Sequence, residues 1–292
     1  MKPPSFQYHA PGSLPEALSL LSDYGDGAKI LAGGQSLMPM LNFRLVAPAH
    51  LIDITRINDL CAAPLNSTEL CIGAGVRQRA LERSPEIKLA IPLLHQAISN
   101  IAHAQIRNRG TICGSLAHAD PAAELPTTMV ALGATMVVAS SSGTRVVPAA
   151  DFFRYHFTTD LGPAELLKEV RVPIPETGTV GAFLEIAHRQ GDFALVGAAV
   201  WTLFDSNGAV ADCRVVCSGV APIPVRAARA EEAIVAGGIS DEALRDAQYA
   251  TSSSVNPTDD IHATAAYRQD VVGVLVRRCL ESIRSQRGAL NE

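Results

Sequence analysis

Leu14, Leu18 and Leu21 recur along one helical face behind Ser13-Leu-Pro-Glu16, whose Ser-x-x-Glu spacing is that of a capping box. This predicts a first helix ending near Gly25. Lys29 to Ala32 is a short apolar run after a polar turn and predicts a strand running straight into Gly33-Gly34, with a helical or irregular segment from Ser36 to Leu41. Leu51 to Ile54 and Leu70 to Gly73 predict further strands, and Pro92 to Ala102 a helix. At Asp120-Pro121 another helix should start, because Asp accepts from free N–H groups and proline at the first helical position forfeits no bond. Leu125, Met129 and Leu132 follow at helical spacing. Ala134 to Ala139 and Arg145 to Val147 are β-rich runs joined by Ser-Ser-Ser-Gly, a hairpin pattern, and Val170 and Val172 alternate with Glu169 and Arg171 as a half-buried strand does.

Pro173 to Gly181 concentrates prolines and glycines and is the best candidate boundary, dividing the chain into domains 1–176 and 177–292. Beyond it the rhythm changes. Gly181 to Ala187, Leu195 to Phe204 and Val210 to Val216 predict three strands, the last two joined through Asn207-Gly208, a strong hairpin signal. Ala227 to Ala236, Asp241 to Ser252 and Tyr267 to Arg284 then carry apolar residues at helical spacing. The expected class is α+β, with a small antiparallel sheet covered by helices in the second domain.

Composition narrows the function more by exclusion. The 292 residues are 48% hydrophobic and 18% charged, which describes a globular protein, and no apolar run approaches the roughly 18 residues of a spanning helix. The N-terminus lacks the basic start and apolar run of a signal peptide, so a cytoplasmic location is expected. A net charge of −5 with interspersed charges argues against nucleic acid as a partner. Six cysteines are present without a CxxC and no HExxH occurs, so no metal site is expected in this chain.

The candidate chemistry lies in two loops. Ala32-Gly-Gly-Gln-Ser36 follows a strand with residues that let backbone approach a ligand, free N–H groups and a hydroxyl. Arg109-Gly-Thr-Ile-Cys-Gly-Ser115 repeats that logic, and the pair suits a diphosphate held from both sides, although two tight turns would look the same. Gly73-Ala-Gly75 lacks the third glycine of a dinucleotide fingerprint and no GKS or GKT completes a P-loop, which disfavours both of those folds.

At these loops the sequence resembles the FAD-binding medium subunits of the molybdenum hydroxylases, the family that includes the carbon monoxide dehydrogenase medium subunit and the flavin domain of xanthine dehydrogenase. The resemblance runs through AGGQSLMPMLNFRL from Ala32, IRNRGTICGSLAHADPAAELP from Ile106, RQGDFALV from Arg189 and APIPVRA from Ala221. It implies a PCMH-type FAD-binding domain of two α/β lobes, followed by a small CO dehydrogenase flavoprotein C-terminal-like domain with a three-stranded antiparallel sheet and helices. FAD-binding positions implied by it are Lys29, Ile30, Leu31, Ala32, Gly33, Gly34, Gln35, Ser36, Ile101, Thr111, Ile112, Cys113, Gly114, Ser115, Glu124, Leu167 and Phe193. The chain departs from the family pattern with Gln35 for His, Cys113 for Gly and Ser115 for Asn, and Cys113 places a β-carbon where the family's glycine leaves the backbone free to take unusual dihedrals.

Other side chains have an ordinary reading beside the functional one. Phe193 stands where relatives place a tyrosine near the flavin, or is a core aromatic. Glu185, where a lysine is common, changes the local charge or is an exposed strand residue. Asp120 is accounted for as an N-cap, Arg107 and Arg109 either counter the diphosphate or are solvated, and His118 is a site or loop histidine. No side chain is expected to be a catalytic acid or base.

The resemblance implies an electron-transfer oxidoreductase subunit: substrate is oxidised at molybdopterin in a large partner subunit, electrons cross two [2Fe–2S] clusters in a small one, and FAD in this chain passes them to an external acceptor. A dimer of heterotrimers is the assembly implied. The alternative is an independent FAD-dependent oxidase or dehydrogenase acting on a small substrate itself.

Overall fold

Ser13 Oγ accepts from the Glu16 N–H at 3.4 Å, Glu16 returns a bond to the Gly12 N–H at 2.8 Å, and the helix Leu14–Tyr24 runs from this cap to Gly25. The structure is a computed structural model in which residues 2–290 are described; Met1, Asn291 and Glu292, at the ends of the expected domain ranges, lie outside the described residues. The chain forms two units interleaved in sequence, one of residues 2–83, 103–119 and 133–173, the other of 84–102, 120–132 and 174–290.

In the first unit that helix buries Ala17, Leu18 and Leu21 beside a parallel sheet ordered Gln7–His9, His50–Asp53, Ala28–Leu31. The central strand buries both Leu51 and Ile52, as a strand covered on two faces must. An antiparallel sheet follows in the order Glu69–Gly73, Leu166–Pro173, Thr135–Ser140, Gly143–Pro148. Its strand Leu166–Pro173 realises the expected alternation: Val170 and Val172 are fully buried, while Glu169 and Arg171 reach the surface and pair at 2.7 Å. A two-stranded ribbon, Phe153–Tyr155 with Thr158–Thr159, completes the unit.

The second unit is built on three long antiparallel strands, Thr179–Ile186, Val196–Phe204 and Val210–Ser218, with a two-residue strand Val225–Arg226 added at one edge. Asp205 organises the predicted hairpin, its carboxylate accepting from the Asn207 and Ala209 N–H groups while Gly208 takes φ +85. On one face Ala198, Val200, Val215 and Cys217 pack with Val272, Val276, Cys279 and Leu280 of the helix Ala265–Leu290, and with the helices Ala228–Gly237 and Asp241–Ser254. Each such aliphatic side chain is worth about 1.5–3 kcal/mol when fully buried, so this layer sets the fold of the unit.

The other face carries the alternate residues. Gly181 abuts Leu93, Gln96 Oε1 accepts from the Phe183 N–H at 2.9 Å, and Trp201 Nε1 donates to the Ala131 carbonyl at 2.7 Å. These contacts seat the helices Pro92–Asn100 and Glu124–Ala131 on the sheet. The helix expected from Asp120-Pro121 therefore begins later. Asp120 Oδ1 accepts from the Ala122 N–H at 2.9 Å, closing a turn over Pro121, and the N-cap is Ala123. An Asp-Pro pair starts an Asx turn as readily as a helix, since both satisfy the same donor.

Candidate functional site

The strand Ala28–Leu31 carries Lys29, exposed, and Ile30 and Leu31, half-buried, into the first glycine loop. Gly33 meets the second loop directly: a β-carbon there would lie 2.5 Å from the Arg109 carbonyl oxygen and 2.7 Å from Gly110 Cα. Only glycine permits that approach. Gly34 adopts φ +72, in the left-handed region that side chains disfavour. The turn is held by Gln35 Nε2 donating to the Gly33 carbonyl at 3.0 Å and by the Met38 N–H donating to the Gly34 carbonyl at 3.1 Å. The backbone N–H groups of Gly33, Gly34, Gln35 and Ser36 have no acceptor among the described residues, and Ser36 is exposed.

The second loop is braced from below. Thr111 Oγ1 caps the helix Ile112–His118 by accepting from the Gly114 N–H at 3.0 Å, and Thr111 bridges to Arg77, whose guanidinium donates to the Arg109 carbonyl. Gly114 is the position of this loop that faces Ala32: a β-carbon on it would stand 3.8 Å from that of Ala32 and 2.6 Å from Thr111 Oγ1. Ser115 is half-buried beside it.

Cys113 needs no unusual backbone. It sits within the helix at negative φ, 2% exposed, with its thiol turned into the core and donating to the Ile72 carbonyl at 3.5 Å. Burial, with a smaller push from Glu169, raises that thiol far above the ordinary range. Ile112 is likewise fully buried, so what these two residues offer the loop is backbone.

Arg107 is not available to an anion, since it lies 9% exposed in a bidentate pair with Glu82 at 2.8 and 2.9 Å. Arg109 is exposed, and with Lys29 it supplies the cations on the loop-bearing segments. His118 rests against Phe157, ring centres 5.1 Å apart. Leu167 is 4% exposed in the strand Leu166–Pro173.

The remaining expected positions lie in the second unit. Ile101 caps the C-terminus of the helix Pro92–Asn100 and is 7% exposed. Glu124 opens the helix Glu124–Ala131. Phe193 is 75% exposed, which overturns the core-aromatic reading: Gly191, at φ +89, turns the loop so that residue 193 points outward. Glu185 is not an exposed strand residue either. Its Oε2 is buried without a hydrogen-bond partner, and burial together with the Glu124 charge raises its carboxyl to about 8.

Two contributors escaped the sequence reading. Gly110, whose Cα faces Gly33, is the first glycine of a motif already singled out, and that motif was the available signal. Arg77 carries none: it lies 32 positions from the carbonyl it holds.

The arrangement suits the diphosphate of a dinucleotide. Two loops meet where any β-carbon would intrude, and they present uncommitted N–H groups, serine hydroxyls and flanking cations, which is the donor set that replaces phosphate hydration. Among the described residues no group of His, Cys, Asp and Glu is placed to hold a metal, and no helix is long and apolar enough to cross a membrane.

Comparison with known proteins agrees with this donor set. Residues 4–175 match the family model for the FAD binding domain in molybdopterin dehydrogenase, and residues 181–283 the CO dehydrogenase flavoprotein C-terminal domain. The chain is 41% identical to the 6-hydroxypseudooxynicotine dehydrogenase complex subunit alpha of Paenarthrobacter nicotinovorans, over 96% of this chain and 95% of that one. It is 35% identical to the glyceraldehyde dehydrogenase medium chain of Sulfolobus acidocaldarius, over 97% and 100%. A carbon monoxide dehydrogenase structure from Hydrogenophaga pseudoflava superposes with a TM-score of 0.94 at 38% identity, covering 98% of this chain and 99% of that one. With both family models and relatives of this extent matching along its length, the chain belongs to the FAD-binding medium subunits of the molybdenum hydroxylases, the flavin subunits of molybdopterin-dependent dehydrogenases.

Proposed function

We propose that this chain is the electron-exit subunit of a heterotrimeric molybdenum dehydrogenase, working with a large molybdopterin subunit and a small iron–sulfur subunit, assembled as a dimer of heterotrimers in the cytoplasm. The observation that carries the proposal is the backbone-to-backbone meeting of Gly33 with Arg109-Gly110, beside N–H donors of 33–36 that have no acceptor among the described residues. FAD, when bound, supplies the redox chemistry, accepting electrons from the partner's [2Fe–2S] clusters and releasing them to an external acceptor.

In this reading Ala32–Ser36 and Thr111–Ser115 hold the diphosphate through N–H and O–H donors, and Lys29 and Arg109 balance its charge. Ile30 and Leu31 fix the approach of the first loop. Ile101, Glu124, Leu167 and Phe193 serve the remainder of the cofactor, and a boundary at 176/177 divides the FAD-binding domain from the C-terminal one. The protein's contribution is position: Thr111 and Arg77 lock the second loop before the cofactor arrives, so little ordering is left for binding to pay.

The test is a UV–visible spectrum of the protein purified untagged from its native host with its accompanying chains. Flavin bands over broad iron–sulfur absorption, with two co-purifying chains, are expected. A flavin-only spectrum from a single chain that turns over substrate alone overturns the proposal.

A further inference from the structure

Gln78, 4% exposed at the start of the helix Gln78–Glu82, reaches the second glycine loop at three atoms. Its backbone N–H donates to the Gly110 carbonyl at 2.9 Å, and its Nε2 donates to the Thr111 carbonyl at 3.5 Å. Its Oε1 lies against Gly110 itself: a β-carbon on that glycine would stand 2.7 Å from Oε1 and 3.0 Å from Cδ. Gly110 is also the residue whose Cα would lie 2.7 Å from a β-carbon on Gly33. It therefore touches both the buried amide of Gln78 and the backbone of the first loop, with no side chain of its own to hold them apart.

Packing alone does not call for glutamine here. The Oε1 is buried without a hydrogen-bond partner among the described residues, a state native proteins rarely keep. A flipped amide would fare no better, since it would set that oxygen against the Thr111 carbonyl. Methionine would fill the same space and orphan no polar atom. Nor is the residue needed to match a charge: Arg79 and Arg107 pair with Glu82 at 2.7 and 2.8 Å, and the Arg77 guanidinium donates to the Arg109 carbonyl. What the amide has is a place. It meets the carbonyls of two consecutive loop residues, Gly110 and Thr111, and the second of these also accepts from the Ser115 N–H at 3.2 Å in the first turn of the helix Ile112–His118. A polar atom kept at a cost to stability is the mark of a position that serves a site.

We propose that Gln78 is a positioning residue for the FAD diphosphate, an amide wedge that sets where Gly110 and Thr111 meet Gly33 and so fixes the spacing of the two glycine loops. This role rests on the FAD reading above: donors on two separate loops share one diphosphate only when the loops stand at the right separation. Gln78 acts through Gly110, because its own amide oxygen is sealed beneath the loop. An apolar side chain of the same length removes the orphaned atom, so the chain without cofactor should be at least as stable, yet the loop spacing is released and FAD is held less well. A residue that only packs cannot move stability and affinity in opposite directions.

The test compares wild type, Gln78→Met and Gln78→Asn as deflavinated holoenzyme, by FAD titration, by thermal melts without FAD, and by the phosphorus NMR resonances of the bound cofactor. Gln78→Met should melt no lower than wild type, bind FAD about tenfold more weakly and shift the diphosphate resonances at saturating FAD. Gln78→Asn keeps both amide atoms but draws them back from Gly110 by one methylene, and should also bind FAD several-fold more weakly, since polarity without position does not rescue. Wild-type affinity in either folded variant overturns the inference. So does a Gln78→Met protein that fails to fold, that loses affinity in step with its melting temperature, or that leaves the resonances unshifted, because each makes Gln78 a packing residue only. Failure of the FAD reading itself shows elsewhere, as full FAD retention by a folded Gly33→Val holoenzyme; loss of FAD from that variant beside normal binding by both Gln78 variants overturns the role of Gln78 alone.

Discussion

Gly33 and Arg109 touch backbone to backbone: the position of a β-carbon on Gly33 is 2.5 Å from the Arg109 carbonyl oxygen, and neither chain has a flexible side-chain end with which to yield. Gly33→Ala should push the loops apart, destabilise the protein by about 1–3 kcal/mol as overpacking does, and lower the FAD retained on purification several-fold. Gly27→Ala is the control. It has open space around its β-carbon position and no positive φ, so it should change neither stability beyond about 1 kcal/mol nor FAD content. Flavin absorbance per chain with a urea titration on each variant reads both effects.

What the sequence reading recovered follows from how local each signal is. The Ser13 cap, the Asn207-Gly208 hairpin and the Val170/Val172 alternation are decided by residues within a turn or a strand, and all three stand in the structure. Asp120-Pro121 misled because a turn and a helix cap use the same side-chain acceptor, so only the packing of Leu125 and Met129 selects the start at Glu124. Burial of a polar side chain was beyond local pattern. Glu185 is enclosed by helices more than fifty positions away in sequence, and Phe193 is exposed by a loop bend rather than by its own chemistry. The glycine loops were legible as motifs, whereas the Arg77 brace that holds one of them was not.

Thr111 Oγ1 caps its helix by accepting from the Gly114 N–H, and the same bond fixes a glycine of the loop. Thr111→Ala should remove about 1 kcal/mol of stability through the lost cap and weaken FAD retention, whereas Thr111→Ser keeps the oxygen and should restore most of both. Thermal melts with and without added FAD separate the effects: the alanine variant should gain less from FAD than wild type.

Thiol accessibility tests where Cys113 points. Cys61 is exposed and Cys71 half-buried, while Cys113, Cys213, Cys217 and Cys279 are buried, with thiols that burial holds protonated. An alkylating reagent on the native protein should modify Cys61 fastest, Cys71 slowly because its thiol is raised to about 11, and the other four only after denaturant is added. Rapid native labelling of Cys113, read by peptide mass, would show its thiol in the loop rather than in the core.

Glu82 and Arg107 should dominate the acid limb of stability in the first unit. Hydrogen bonds from Arg107, then from Arg79, hold the Glu82 carboxyl down to about 2. Its folded value lies below its unfolded one, so the pair's contribution is complete above the usual glutamate range near 4.3 and is lost as pH falls from there to about 2. Arg107→Met removes the bidentate partner and leaves Glu82 paired with Arg79 at 2.7 Å, so it should cost about 2 kcal/mol at pH 7, with a shallower decline on acidification than wild type, measured by urea unfolding at stepped pH.

Glu185 predicts the opposite slope. Its folded carboxyl titrates near 8 and its unfolded one in the usual glutamate range, so between those values the native state holds a proton that the unfolded chain has lost. Stability must fall with rising pH across that window and level off above it. Glu185→Gln removes the titration while keeping the size of the side chain, and should raise the melting temperature, by more at pH 8 than at pH 5. Glu124→Gln should recover only part of that gain, because burial is the larger cause of the shift and remains in place. A melting temperature for Glu185→Gln that tracks wild type at both pH values would show that residue 185 is ionised in the folded protein.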